Sequence, residues 1–287
     1  MTNIKRTRFL CLALLAASVA VPAIAQLNNP QGLAFDSHGH LWIANAGANN
    51  VIEANARTGR VLMTITNGVS GPSRLAFDTL GNLYVANKTA DTITEYDSAG
   101  TLIRTISGSF IQGPNGVAVD AYGDVYIANS GTNDVVAVNV DGGLVETLTT
   151  DKSGFSFSAP GALAIYGQDL YLGLGPQPGE NAVISYNVGE FLTGDPKEQV
   201  VFTSSIYTGP TGIAFDNAGN VYVSDLYSGS LAAYNSSGVL QFAVNSGYAT
   251  GVAWDKTNGC VYVTDAVANK INVFTSSGGA CTPSTLF

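Results

Sequence analysis

Six copies of one motif, spaced about 40 residues apart, leave this chain few ways to fold. The copies are GLAFDSHGHLWIAN from Gly32, RLAFDTLGNLYVAN from Arg74, GVAVDAYGDVYIAN from Gly116, ALAIYGQDLYLGL from Ala162, GIAFDNAGNVYVSD from Gly212 and GVAWDKTNGCVYVTD from Gly251. Each follows an anchor: Pro30, Pro72, Pro114, Pro160, Pro210 and, in the sixth place, Ala249, with spacings of 42, 42, 46, 50 and 39 residues. Helical repeats can share such a period, but no segment here repeats at 3.6 residues. Apolar residues alternate, as in half-buried strands. The pattern predicts an all-β chain: a six-bladed β-propeller with four-stranded antiparallel blades.

The first strand of each copy alternates bulk with alanine. Leu33 and Phe35 flank Ala34, and the same triplet recurs around Ala76, Ala118, Ala164, Ala214 and Ala253. A small residue is expected where innermost strands crowd near a central axis. A turn containing Gly or Asp follows, then a second strand with one aromatic column: Trp42, Tyr84, Tyr126, Tyr171, Tyr222 and Tyr262. A residue present in every repeat serves the repeat, so the column is expected to pack blade on blade and not to stack on a ligand. Thr92–Tyr96 and Leu102–Ile106 exemplify the third and fourth strands.

Gly113–Asn129 (GPNGVAVDAYGDVYIAN) and Gly209–Asp225 (GPTGIAFDNAGNVYVSD) resemble the NHL repeat nearly residue for residue. More loosely, the chain is similar to the virginiamycin B lyase and gluconolactonase propellers. The resemblance implies the fold over residues 26–287 and leaves function open, because binders and enzymes share this scaffold.

Residues 1–25 have the form of a cleaved signal peptide. Lys5, Arg6 and Arg8 precede an apolar stretch from Phe9 to Ala20, and Ala23-Ile24-Ala25 supplies a cleavage site. The three basic residues it removes, with no acidic one, take the net charge from −9 to −12. An acidic chain without a basic run suits neither nucleic acid nor an anionic membrane surface. No second apolar stretch is long enough to span a bilayer. The expected protein is exported, periplasmic or extracellular, and monomeric.

Two cysteines then remain, Cys260 and Cys281, and an even pair in an exported chain points to one disulfide. Only Gln26 to Asn29 precede the first blade, too few for a strand that could complete the last one. The sixth blade must therefore take its outer strand from Gly278 to Phe287, and the disulfide would tether that terminal segment.

In propellers the loops entering strand A and those joining strands B and C gather around the mouth of the central channel. Gln31, Ser73, Asn115, Gly161, Thr211 and Thr250 are expected to face that mouth, and Arg74 stands where the other repeats have Gly or Ala. Resemblance to gluconolactonases implies a divalent cation held there by carboxylates and asparagines. Only Asn115 matches, and a lone asparagine cannot hold a hard cation, so no metal site and no cofactor are expected. A lyase of the virginiamycin B type would need a histidine base at the mouth. The two histidines, His38 and His40, fall in the first A–B turn, at the opposite end of the strands. Asn45, Asn87, Asn129, Asp225 and Asp265 close the B strands on the mouth face, where recurrence favours turn capping.

Features that break the repeat are the remaining candidates. Blade four has Tyr166 in the place of Asp, a lengthened B–C loop through Glu180, and an insertion from Gly189 to Glu198. Phe110, Phe155, Phe157, Tyr207, Tyr227 and Tyr248 fall in mouth-side loops. With Arg74, Asn115, Glu180 and Asp225 they form a candidate binding face for a protein, glycan or small molecule. The favoured function is a non-catalytic binding scaffold. The alternative is a lyase or lactone hydrolase, with Arg74, Asn115, Asp225 and Glu180 as the groups available; no catalytic residue is assigned.

Overall fold

A computed structural model describes residues 26–150, 156–174, 182–193, 198–203 and 209–287. Within them the chain forms six four-stranded antiparallel sheets, each built from consecutive strands. Blade one is β1 (Pro30–Phe35), β2 (His40–Asn45), β3 (Asn50–Asn55) and β4 (Val61–Ile65); blade two is β5 (Pro72–Phe77), β6 (Leu83–Asn87), β7 (Thr92–Tyr96) and β8 (Leu102–Ser107). Blade three is β9 (Pro114–Val119), β10 (Val125–Asn129), β11 (Asp134–Val138) and β12 (Leu144–Leu148); blade four is β13 (Ala162–Tyr166), β14 (Asp169–Leu174), β15 (Ala182–Asn187) and β16 (Gln199–Thr203). Blade five is β17 (Pro210–Phe215), β18 (Val221–Asp225), β19 (Ser230–Tyr234) and β20 (Leu240–Asn245); blade six is β21 (Ala249–Asp255), β22 (Cys260–Asp265), β23 (Lys270–Thr275) and β24 (Ala280–Leu286).

The A–B turns show how the repeat residues shape the chain. Asp36, Asp78, Asp120 and Asp216 each accept backbone N–H bonds from the residues two and four positions on. The glycine between those donors has φ between 79° and 90°, a conformation that disfavours any residue with a Cβ.

The core lies between the blades, in six clusters, one per interface. The alanine of strand A pairs directly across from the aromatic of strand B: Ala34 with Trp42, Ala76 with Tyr84, Ala118 with Tyr126 and so on around the ring. The alanine thus does more than relieve crowding at the axis. It leaves room on one face for the aromatic ring, and the bulky strand A residue of the next blade packs onto that face. Phe77 meets Trp42 edge-on at 5.7 Å, Phe215 meets Tyr171 at 4.5 Å, and Phe35 of blade one meets Tyr262 of blade six at 5.0 Å. Trp42, Tyr84, Tyr126, Tyr222 and Tyr262 are all 3% exposed or less, so they are closed to ligands. Each such burial is worth about 1.5–3 kcal/mol.

Ring closure uses this same contact. Strand β24 pairs with β23 at the C-terminal end, and among the described residues no N-terminal strand joins blade six. A Cys260–Cys281 disulfide ties β24 to β22 of its own blade, and Cys281 packs against the core cluster between blades six and one.

Besides a single 3-10 turn at Ala46–Ala48, one α-helix among the described residues departs from the all-β reading. The insertion in blade four opens with a short helix, α1 (Val188–Leu192), whose N-cap Asn187 accepts the Gly189 N–H at 3.1 Å. Val188 and Phe191, three residues apart, share one helical face, and both are buried. Phe191 packs edge-on against Tyr126 of blade three at 5.4 Å, filling the space between the two blades.

Two predictions follow from this packing. Reducing the disulfide, which closes a 21-residue separation, lowers stability by roughly 3 kcal/mol. Denaturant melts with and without reductant measure this loss, and hydrogen exchange should rise first in β24. The second concerns alkaline pH. Burial raises the Tyr84 phenol to about 12, and burial with neighbouring aspartates raises Tyr126, Tyr171, Tyr222 and Tyr262 as well. A phenol raised on folding contributes stability that is complete below the ordinary value near 10 and is lost as pH climbs from there through the raised folded value. Stability should therefore fall above pH 10, with tyrosinate absorbance from these rings rising together with loss of the β-sheet circular dichroism signal.

Candidate ligand-binding face

The mouth-side loops are held by two sets of Asx side chains. The first ends strand B. Asn45, Asn87, Asn129, Asp225 and Asp265 accept the backbone N–H of Asn28, Ser70, Gln112, Gly209 and Tyr248 at 2.6–3.2 Å, so each fixes the loop entering strand A of its own blade. The second set lies four residues further on. Asn49, Asp91, Asn133 and Asn269 adopt φ of 50–58°, which Asn and Asp tolerate, and accept the N–H of Gly71, Gly113, Ala159 and Asn29 at 2.6–2.8 Å. Those donors belong to the next blade, and the Asn269–Asn29 bond joins blade six to blade one. The second set was legible as an Asx recurring four residues after the first, a spacing overlooked beside the stronger strand pattern.

The residues expected to face the mouth divide. Ser73 Oγ donates to Pro114 O of the next blade at 2.8 Å, Thr211 Oγ1 to Ala249 O at 3.0 Å, and Thr250 Oγ1 to Gln31 O at 3.1 Å. These hydroxyls bridge blades and do not point at the channel. Gln31 is half-buried and bonds Asn29. Asn115 is half-buried, its amide lying over Gly161, where a Cβ would meet Nδ2 at 2.4 Å.

Arg74 crosses the channel. Irregular register between the anchor and strand A turns carbonyls inward, and the guanidinium reaches them from blade two. Nε and Nη2 donate to Thr211 O, Nη2 also to Thr250 O at 2.8 Å, and Nη1 to Ser73 O at 2.8 Å. Four hydrogen bonds thus hold a group with five N–H donors. Part of its surface stays accessible along the channel, yet protein encloses it, and that burial pushes its pKa down to about 10. It remains a cation at neutral pH. Burial, with the charge of Arg74, also lowers the pKa of Lys88.

The aromatic candidates separate by burial. Phe157 is 3% exposed and belongs to the core between blades three and four, and Phe110 packs against the core between blades two and three. Phe157 therefore forms no rim, and Phe110 is half-buried against its core cluster. Asp225 is fully buried as a latch for its loop, accepting also the Ser228 N–H at 2.8 Å. Tyr227, Tyr248 and the neighbouring Val267 are exposed on this face, in the loops of blades five and six. Phe155, Glu180 and Tyr207 lie outside the described residues. Among the described residues, three metal-ligating side chains converge only at Asp36, His40 and Glu53, at the opposite end of the strands.

No protein-family model matches the sequence, and no curated protein matches it. Solved structures do share the fold. Virginiamycin B lyase from Staphylococcus aureus superposes with a TM-score of 0.64 at 18% identity, over 90% of this chain and 85% of that one. A gluconolactonase from Xanthomonas campestris gives 0.65 at 16% identity, over 84% of each chain. A chain of a nidogen/laminin complex gives 0.64 at 15% identity, over 86% of this chain and 89% of that one. At these identities the likeness is one of fold, and it spans enzymes and a protein–protein complex alike.

Replacing Arg74 with methionine keeps the stem and removes the cation, leaving inward carbonyls without donors. The expected loss is roughly 2–4 kcal/mol in denaturant unfolding. Unchanged stability would mean that water satisfies the ring as well as the guanidinium does.

Proposed function

We propose that this chain is an exported, non-catalytic propeller that binds a protein, glycan or small ligand through its mouth-side loops. The observation that carries this reading is the state of the channel: Arg74 crosses it and gives four of its donors to backbone carbonyls. Ser73, Thr211 and Thr250, which stand where an active site would be built, spend their hydroxyls on neighbouring blades. Outward this face offers exposed Tyr227, Tyr248 and Val267 in the loops of blades five and six and Lys88 in that of blade two, among polar side chains such as Asn49, Asp91 and Asn133. Exposed aromatic rings among polar loop side chains suit a sugar or a partner with a mixed polar and apolar surface. The expected signal peptide and the disulfide support export.

A thermal-shift screen against oligosaccharides, peptides and lactones tests this, because a ligand that binds only the folded state raises its melting temperature. A stabilising ligand should lose its effect in the Tyr227→Ala/Tyr248→Ala double variant, whose own melting temperature stays near that of the parent because both rings are exposed. Turnover of a lactone or a cyclic depsipeptide by the purified chain would instead establish the enzyme reading.

A further inference from the structure

The A–B turn of blade one, opposite the proposed binding face, holds a cluster that ligand binding at the mouth does not use. Asp36, His40 and Glu53 each place a ligand atom within 4.8 Å of the other two. His40 Nδ1 lies 2.6 Å from Glu53 Oε1 and 3.4 Å from Asp36 Oδ2. Asp36 is preset: Oδ1 accepts the His38 and His40 N–H groups, and Oδ2 accepts Trp42 Nε1–H at 3.1 Å. Glu53 is only 8% exposed. The three line a cleft of about 440 Å³ that reaches Phe77 and Leu80 of blade two, with His38 on its wall.

Blade two repeats the arrangement and shows what balances it there. Asp78, Asn82 and Glu95 take the equivalent places, and Asn82 Nδ2 donates to Asp78 Oδ2 at 2.9 Å and to Glu95 Oε1 at 3.2 Å. Glu95 also receives the Arg104 Nε–H at 2.5 Å, from the residue paired with it across strands. In blade one the residue paired with Glu53 is Met63. Blade one therefore keeps both carboxylates, buries one of them, and lacks the arginine. In the other blades the position of the glutamate is Ala137, Ser185, Ala233 or Val273, so no charge arises.

We propose that Asp36, His40 and Glu53 bind one divalent transition-metal ion of the zinc class. Two carboxylates neutralise a 2+ charge, and an imidazole nitrogen selects zinc-like ions over calcium and magnesium, which prefer all-oxygen sites. Water fills the remaining position, or His38 does, whose ring stacks 6.1 Å from that of His40. The ion takes the place that Arg104 holds in blade two and ties the turn to strand C.

Isothermal titration of the tag-free, EDTA-dialysed chain with zinc chloride tests the assignment. Zinc should bind saturably with one equivalent per chain, and neither calcium nor magnesium should compete. His40→Ala and Glu53→Gln should each weaken binding by more than about a hundredfold, beyond the roughly 10–100-fold that losing a group hydrogen-bonded to a metal ligand typically costs. Met63→Arg rebuilds the blade-two solution and should abolish zinc binding while the melting temperature is kept, so a folding defect cannot mimic the result. An absence of saturable zinc binding in the parent chain, or parental affinity in Met63→Arg or His40→Ala, would overturn the proposal. None of these outcomes depends on whether a ligand binds at the mouth.

Discussion

Everything in this structure rests on the fit of one blade onto the next. An alanine leaves space beside an aromatic ring, and the following blade's strand A residue fills it. This contact buries the ring and sets the spacing between sheets. Polar links at the mouth accompany it: threonine and serine hydroxyls on the next blade's carbonyls, and Asx side chains on the next blade's first amides. Both kinds of contact recur between blades six and one. Among the described residues the ring thus closes through an interface made of the same parts as the others. The disulfide has a narrower role, holding a terminal strand that only one neighbouring strand pairs.

Blade four shows what happens where the parts change. Leu174 ends its strand B in place of the Asx latch, and Tyr166 replaces the turn aspartate. Its interface is repaired by other means. Helix α1 inserts Phe191 against Tyr126, and Tyr166 stacks on Phe215 at 4.7 Å. Apolar packing thus substitutes for a lost hydrogen-bond pattern, as expected if area removed from water, and not any single polar contact, supplies most of the stability of the interface.

The channel separates this chain from a generic scaffold. Placing an arginine across a propeller axis costs desolvation, which the lowered pKa of Arg74 registers. Among the described residues no carboxylate pairs with it. Instead, carbonyls from three blades converge on it, and they can do so only because irregular register at the start of strand A frees them from the sheet. The solved structures that share the fold include a lyase, a gluconolactonase and a nidogen/laminin complex, so the scaffold leaves the function undecided and the contents of the channel carry the distinction.

The repeat alone determined the class of fold, the number of blades, the turn residues and the packing role of the aromatic column, because these depend on local alternation and on contacts made six times over. The pairing of Cys260 with Cys281 was legible for another reason: with Cys11 placed in the expected signal peptide, these two cysteines have only each other. What the sequence could not settle was where unrepeated side chains point. Arg74 was recognisable as an exception but not as a bridge to residues 137 and 176 positions away. Phe110 and Phe157 looked like Tyr227 and Tyr248 until burial set them apart. The opposition of Glu53 to Met63, against that of Glu95 to Arg104, depends on register between strands C and D, where one bulge decides which residues pair. Periodic patterns fix what every blade must do, whereas single side chains take their direction from neighbours that are distant in sequence and that only the closed ring brings together.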